Sequence, residues 1–243
     1  MEKLRESSFI SLIAVFAAFN IVCDLLMGPL PDISSVWHSW IFIAEPISGI
    51  ILGPFASLFS TFIGVMVGHS IYIRDSAEFL FTLGAPIGAM ISALIFRGKW
   101  KIALAYYMAL LGAFFATPVS WQLPFWGMWD VYLAFGCLLI SIVIMKKLKG
   151  LWNTKSVSVS LLYIVALCTF IGLEADVLFR IFILVPCQTY QIIALDVSTL
   201  QLWWAAGAVE TSTKAALSTL ISVMVTPSII KAVRKMGLAL SED

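Results

Sequence analysis

The sequence predicts an all-α integral membrane protein, a polytopic helical bundle with about eight transmembrane helices. Hydrophobic residues make up 61% of its 243 residues and charged residues only 12%, whereas soluble domains carry roughly 25% charged residues. The nine tryptophans and 17 phenylalanines fit this class, because aromatic side chains collect at membrane interfaces. With short tails, no long-period repeat and no low-complexity segment, residues 1–243 are expected to form a single membrane domain.

Charge, cysteines and motifs exclude several classes of function. The net charge of +1 gives no field that would attract nucleic acid. The four cysteines are scattered, without a Cys-x-x-C or Cys/His cluster, so they are interpreted as apolar filler, and no metal or cofactor is predicted. The sequence also lacks a P-loop, an H-E-x-x-H motif and a G-x-S-x-G motif. We therefore expect the chain not to be an enzyme.

The first helix is expected at about residues 9–27, a length that suits a crossing of ~30 Å of hydrocarbon. No small-residue cleavage site precedes Asp24, so the helix is expected to be retained rather than removed as a signal peptide. Three alanines lie inside it: Ala14, Ala17 and Ala18. Ala14 and Ala18 are four residues apart and share one helix face, which lets another helix approach closely.

The stretch 41–69, IFIAEPISGIILGPFASLFSTFIGVMVGH, is apolar for longer than one crossing needs. As one helix it would be about 43 Å long and strongly tilted. Gly53–Pro54 interrupts it near the middle and predicts a break into two short helices. Glu45 lies near its start. The length of this stretch alone does not decide between one membrane crossing and two.

The distribution of Lys and Arg favours two crossings. With two crossings and a cytoplasmic N-terminus, 12 of the 15 basic residues face the cytoplasm, against 10 for the best one-crossing topology. The twelve are Lys3, Arg5, Arg97, Lys99, Lys101, Lys146, Lys147, Lys149, Lys155, Lys231, Arg234 and Lys235. Both termini are then expected in the cytoplasm.

The remaining helices follow from the apolar runs between polar segments. They are expected at about 78–96, 102–118, 131–148, 157–180 and 202–230. The segments 69–78 and 119–130 become outer loops, and the second of these holds three tryptophans. The segment 181–202 is apolar and broken by Pro186, so an interfacial path and a re-entrant path both stay open.

Apart from the twelve basic residues expected in the cytoplasm, almost all polar residues of interest gather in the expected outer loops and outer helix halves, together with tryptophans. They are Asp32, Glu45, His69, Arg74, Asp75, Glu78, Gln122, Asp130, Glu174, Asp176, Arg180, Glu210 and Lys214. Such a polar, aromatic-lined region is what a small water-soluble ligand needs. Ionisable residues at membrane depth are costly and therefore point to function, which singles out Glu45, Glu210 and Lys214. A structural Glu210–Lys214 pair along one helix face is the alternative. Glu174, Asp176 and Arg180 could likewise pair with one another across one turn of helix.

Four features resemble the substrate-binding (S) component of energy-coupling factor (ECF) transporters, which import vitamins. They are the Ala14-x-x-x-Ala18 face, the helix–Leu52-Gly53-Pro54–helix unit with Gly49, Gly64 and Gly68 around it, the polar loop 69–78, and the small-residue helix from Gly84 and Gly88 to Arg97. The last helix, with Lys214 and a basic end, is also similar. The family usually has six crossings, so the resemblance implies a six-helix core plus about two extra helices, around residues 130–185.

The resemblance implies a mechanism and partners. The chain would capture a vitamin-like ligand from outside a prokaryotic cell membrane, under a lid of loops 28–40 and 69–78. It would dock on a transmembrane coupling subunit through its first three helices, and two ABC-type ATPases would hydrolyse ATP. The ligand contacts implied in this way are Arg74, Glu78, Trp121, Trp126, Glu210 and Lys214. Glu45 is expected to line the same cavity, and Gly53–Pro54 to act as a hinge.

Each of these contacts has a structural alternative, and two other functions stay open. The tryptophans could be interfacial anchors, and Arg74 and Glu78 could belong to a solvated loop. An ion-coupled secondary transporter would carry its ion on Glu45 and Glu210, although no inverted repeat is evident. An integral-membrane enzyme acting at the outer face would use residues of the loop 69–78, namely His69, Asp75 and Glu78.

Overall fold

The computed structural model describes residues 2–26, 39–71, 76–148 and 159–236, and these ranges are helical with short connections. Two 3-10 turns, Pro118–Gln122 and Phe125–Met128, lie between the sixth and seventh helices. The described α-helices are α1 (Glu2–Leu25), α2 (Ile41–Leu52), α3 (Pro54–Ile71), α4 (Ser76–Phe81), α5 (Gly84–Phe96), α6 (Trp100–Ala116), α7 (Trp129–Leu148), α8 (Val159–Leu184), α9 (Thr189–Ile192) and α10 (Val197–Lys235).

Among the described residues, six helical segments are long and apolar enough to span a membrane, which confirms the coarser prediction of a helical, multi-pass membrane protein. They are Ser7–Leu25, Pro54–Ile71, Glu78–Phe96, Phe125–Val143, Leu161–Leu184 and Val197–Lys235. The apolar helices α2 and α6 are shorter. At 1.5 Å per residue, the 12 residues of α2 extend only about 18 Å. A count of eight crossings and the side of each terminus remain predictions.

The stretch 41–69 is broken where the sequence predicts. The helix α2 ends at Leu52 and α3 begins at Pro54, which occupies a first-turn position where its missing N–H costs nothing. Between them Gly53 has φ 94°, a left-handed conformation that favours glycine. A Cβ at Gly53 would lie 2.5 Å from Nη2 of Arg97, just beyond α5. Burial lowers the pKa of this Arg97 guanidinium.

The two halves of this stretch fold back on each other. The Asn20 side chain of α1 donates through Nδ2 to Ser48 Oγ of α2 at 3.2 Å and to Thr61 Oγ1 of α3 at 3.4 Å. Ser48 and Thr61 lie at similar sequence distances on either side of Gly53. Their shared partner therefore shows that α2 and α3 form an antiparallel helical hairpin rather than one long tilted helix.

The short helix α2 is the centre of the bundle. All twelve of its residues are buried, and it packs against α1, α3, α5, α8 and α10. It runs in the same direction as α5, because Glu45 lies beside Gly88 and Gly49 beside Ala89. A Cβ at Gly49 would lie only 2.2 Å from the Ala89 carbonyl oxygen. Glycine at this position therefore permits the close contact between α2 and α5.

The helices α1 and α3 also run in the same direction, with glycines at their contact. Gly64 faces Asn20, and Gly68 faces Asp24, one turn further along both helices. His69, expected in an outer loop, instead lies in the last turn of α3 and is fully buried. Its Nδ1 lies 2.8 Å from Asp24 Oδ2, and this buried pair keeps the residue inside the helix contact.

The longest helices, α8 and α10, extend into the segment 181–202, for which the sequence did not decide between an interfacial and a re-entrant path. The helix α8 continues to Leu184, and α10 begins at Val197 and runs for 39 residues. Asp196 caps α10 by accepting a hydrogen bond from Thr199 N at 3.0 Å. Hydrogen bonds from Ser198 and Thr199 lower the pKa of Asp196 to about 2. This cap explains why the helix starts earlier than the apolar run alone predicts.

Candidate functional site

A cavity of about 220 Å³ lies between α8 and α10 and is bordered by α4, the start of α2 and the start of α7. Its wall combines charged groups with aromatic rings, as expected for a small-ligand site. The lining residues are Ser39, Ile41, Phe42, Glu78, Phe81, Thr82, Gly127, Asp130, Leu173, Asp176, Val177, Arg180, Ile181, Leu184, Trp203, Trp204, Gly207, Glu210, Thr211 and Lys214.

Both basic side chains of the cavity wall are paired with an acidic residue one turn earlier on the same helix. The Arg180 guanidinium donates to both carboxylate oxygens of Asp176, at 2.7 and 2.8 Å. The Lys214 ammonium donates to Glu210 Oε1 at 2.5 Å. The i,i+4 pairing that the sequence indicated is present in both cases. The bidentate geometry of the Arg180 pair fixes both of its side chains.

Asp130, in the first turn of α7, connects α7 to α10. Its Oδ1 accepts a hydrogen bond from the Val131 N–H at 2.9 Å, and its Oδ2 accepts one from the Thr211 hydroxyl. Asp130 is 1% exposed and lines the cavity. The sequence placed it among the outer polar residues but not among the expected contacts. Its position at the end of the Trp-rich loop, directly before an apolar run, was the available signal.

Two tryptophans of α10 line the cavity, and neither was among the expected contacts. The Trp204 indole stacks on Phe114 of α6, with ring centroids 5.5 Å apart and an interplanar angle of 6°. Gly127 approaches the Trp204 edge so closely that a Cβ there would lie 2.2 Å from Cδ1. Trp203 lies next to it on the wall. The ring of Trp204 is therefore held in one orientation.

The two expected tryptophan contacts lie outside the cavity wall. The side chains of Trp121 and Trp126 are 81% and 57% exposed. Trp121 donates through Nε1 to the Phe115 carbonyl oxygen at 2.9 Å. Their exposure is what the alternative of an interfacial anchor predicts.

Glu45 is fully buried but lies behind the cavity wall rather than on it. A Cβ at Gly88 would lie 2.8 Å from Glu45 Oε1 and 3.1 Å from Asp176 Cβ, so Glu45 and Asp176 meet at this glycine. Glu174 of α8 is fully buried as well. Within the described ranges, neither the Glu45 nor the Glu174 carboxylate has a hydrogen-bond partner.

These two carboxylates interact electrostatically with groups of the cavity wall. The Glu45 carboxyl group is close enough to Asp176 and Arg180 for a Coulombic interaction with each. The Glu174 carboxyl group is close enough to Asp130 and Asp176 for the same interaction. The wall and the layer behind it are therefore electrostatically coupled. Among the residues that the structure describes, no group of three or more His, Cys, Asp or Glu side chains is arranged to hold a metal ion.

Three of the expected contacts, Glu78, Glu210 and Lys214, come together on the cavity wall. Arg74 and most of the expected lid loop 28–40 lie outside the described residues. The buried His69–Asp24 pair lies between α1 and α3, not on the cavity wall. Of the two described members of the expected outer-face enzyme group, His69 and Glu78, only Glu78 reaches the cavity, and Asp75 lies outside the described residues.

The expected docking face on α1 is partly accessible. Ala14 and Ala18 are exposed, whereas Ala17 is half-buried, with its carbonyl oxygen 3.3 Å from a Cβ placed on Gly64. Apolar side chains surround the two exposed alanines, among them Ile10 at 65% and Val15 at 63% exposure. In a membrane, either lipid or another helix covers such a face.

Comparison of this chain with protein-family models, with curated proteins and with solved structures found no match.

Proposed function

We propose that this chain is the substrate-capturing subunit of an importer of the ECF type in a prokaryotic cell membrane. The single observation that carries the proposal is the polar and aromatic cavity of about 220 Å³ between α8 and α10. Cavities of this kind hold small molecules in a defined orientation. In this account, a transmembrane coupling subunit and two ABC-type ATPases supply the energy, and the captured ligand is a vitamin or related metabolite.

The relative directions of five helices are compatible with the proposed topology of eight crossings with both termini in the cytoplasm. The helices α2 and α3 are antiparallel, α1 runs with α3, and α2 runs with α5. The helix α8 runs against α5, because Gly88 meets Gly172 and Gly84 meets Asp176. Alternating directions along the chain are what successive crossings require. On this topology the cavity lies toward the outer side.

The cavity wall suggests how the proposed subunit holds its ligand. Glu78, Asp130 and the Glu210–Lys214 pair offer polar contacts, and Trp203 and Trp204 offer ring surfaces. Glu45 acts from behind the wall through Asp176. Trp121 and Trp126 are assigned to the rim outside the cavity, where a closing lid could reach them.

A second candidate function is an ion-coupled secondary transporter. The buried carboxylates of Glu45 and Glu174 favour it, because neither has a hydrogen-bond partner among the described residues. Ionisable side chains of this kind mark proton or ion pathways in membrane proteins. Uptake driven by a proton or sodium gradient in liposomes that contain only this chain would support this second function and refute the first.

We expect the double variant Ala14→Trp/Ala18→Trp to lose docking to the coupling subunit while it still binds ligand. Two indoles on the exposed face of α1 would prevent close approach of another helix. The measurement is co-purification of the coupling subunit with the tagged chain. Met108→Trp, on the exposed face of α6, is the matched control and should dock normally. Unchanged docking of the double variant would refute the assigned interface.

A further inference from the structure

We propose that Ser218 is a positioning residue of the ligand cavity, because its hydrogen bond to the Phe42 carbonyl group holds the first turn of α2 in the cavity wall. This inference rests on the proposed function, since it names a residue that shapes the site where the ligand would be captured. It follows from a proline inside α2, a hydrogen bond between α2 and α10, and the position of the Phe42 ring.

The helix α2 contains a proline, Pro46, in its second turn. Proline has no backbone N–H, so the Phe42 carbonyl group, four residues earlier, does not receive the hydrogen bond that an α-helix normally supplies. Phe42 is buried, and a buried carbonyl group without a donor is costly, most of all inside a membrane. The first turn of α2 therefore needs a donor from outside the helix.

Ser218 of α10 supplies this donor. Its Oγ donates to the Phe42 carbonyl oxygen at 2.6 Å, and its side chain is fully buried. A serine inside a helix often donates instead to the carbonyl oxygen four residues earlier in its own helix, as Ser212 does to Ala208 at 2.8 Å. Ser218 reaches across to α2, and its acceptor is the carbonyl group that lost its helical donor to Pro46.

This hydrogen bond lies at the edge of the cavity. Ile41 and Phe42 line the cavity wall from α2, and Lys214 lines it from α10. Ser218 follows Lys214 by four residues, so both lie on the same face of α10. The contact between Ser218 and Phe42 therefore joins two helices at the place where both contribute to the wall.

The first turn of α2 is tied to the bundle on two sides. Toward α1, the Trp40 N–H donates to the Cys23 carbonyl oxygen at 2.9 Å, and the Trp40 ring stacks on Phe42 with centroids 6.2 Å apart. Toward α10, the tie is the hydrogen bond from Ser218. Loss of the Ser218 hydroxyl therefore frees the side of the turn that faces α10, and the Phe42 ring moves with it.

The test observes the Phe42 ring directly. Phe42 is replaced by para-fluorophenylalanine, and the fluorine NMR spectrum of the purified full chain is recorded in nanodiscs. In Ser218→Ala we expect the fluorine resonance to shift and broaden, because the first turn of α2 loses its contact with α10. The same variant should lower the apparent melting temperature by several degrees, because a buried carbonyl group is left without a donor.

A second substitution tests the part played by the proline. Pro46→Ala restores a backbone N–H at position 46, which can donate to the Phe42 carbonyl group within α2. Ser218→Ala should therefore have a much smaller effect on the resonance and on the melting temperature in the Pro46→Ala background. Equal effects of Ser218→Ala with and without Pro46 would overturn the inference.

Ser141→Ala in α7 is the matched control, since it also removes a buried serine hydroxyl. Ser141 donates to the Cys137 carbonyl oxygen of its own helix at 2.7 Å, an acceptor that the helix backbone already supplies with an N–H. The fluorine resonance should not move in this variant. Ser218→Cys, which keeps a weak donor, guards against misfolding of Ser218→Ala and should give an intermediate shift.

An unmoved resonance in both Ser218 variants, or an equally large shift in Ser141→Ala, would refute the positioning role. These results are separable from a failure of the proposed function, because the measurements need neither ligand nor partner subunits. A chain that co-purifies with an ATPase pair but shows no response to Ser218→Ala would retain the transport role and lose this inference.

Discussion

Gly49→Ala is expected to destabilise the protein strongly, although it adds a single methyl group in the middle of a helix. The new Cβ would lie 2.2 Å from the Ala89 carbonyl oxygen and 3.1 Å from Ser92 Cβ, so α2 and α5 would have to move apart. Overpacking of this kind costs about 1–3 kcal/mol. Because α2 is buried along its whole length, no neighbouring space absorbs the shift. The measurement is the apparent melting temperature in detergent.

The matched control is Gly112→Ala in the middle of α6. A Cβ at Gly112 meets no atom within 4 Å. Alanine is favoured over glycine in a helix by roughly 0.5–1 kcal/mol, so this variant should be neutral or slightly more stable. Equal melting temperatures for the two variants would contradict the close packing of α2 against α5.

Arg180→Met is the second substitution for which we expect a large effect. It removes the partner of Asp176, whose side chain is only 6% exposed, and leaves that carboxylate uncompensated beside Glu45. Breaking a fully buried pair costs roughly 3–5 kcal/mol. Since the Arg180 side chain is 31% exposed, we expect a smaller loss, about 1–3 kcal/mol. Thermal unfolding of the purified variant measures it.

The double variant Arg180→Met/Asp176→Asn provides the control, because it removes both charges together. Replacement of both members of such a pair is far less costly than removal of one. The double variant should therefore recover most of the lost melting temperature. If it is as unstable as Arg180→Met alone, the uncompensated charge of Asp176 is not the cause.

Local features of the fold were readable from the sequence because they depend on neighbouring residues. Gly53 and Pro54 set the break between α2 and α3 through backbone conformation alone. The Asp176–Arg180 and Glu210–Lys214 pairs follow from four-residue spacing on a helix. The early start of α10 at Val197 also had a local signal, the capping residue Asp196, although the apolar pattern outweighed it in the prediction.

The composition of the cavity depended on packing between distant helices and was not readable in the same way. Trp203 and Trp204 lie on the wall because α10 presents that face to α8, whereas the loop residues Trp121 and Trp126 are exposed. The position of Asp130 depends on the contact with Thr211, 81 residues later. The sequence could place these side chains near the same side of the bundle, but not decide which of them face inward.

The most direct test of the transport proposal is to purify the tagged chain from its native host in mild detergents and identify co-purifying proteins by mass spectrometry. The proposal predicts that a transmembrane coupling subunit and two ABC-type ATPases are recovered with it in comparable amounts. Recovery of the folded chain without any ATPase, in every detergent tried, would contradict it.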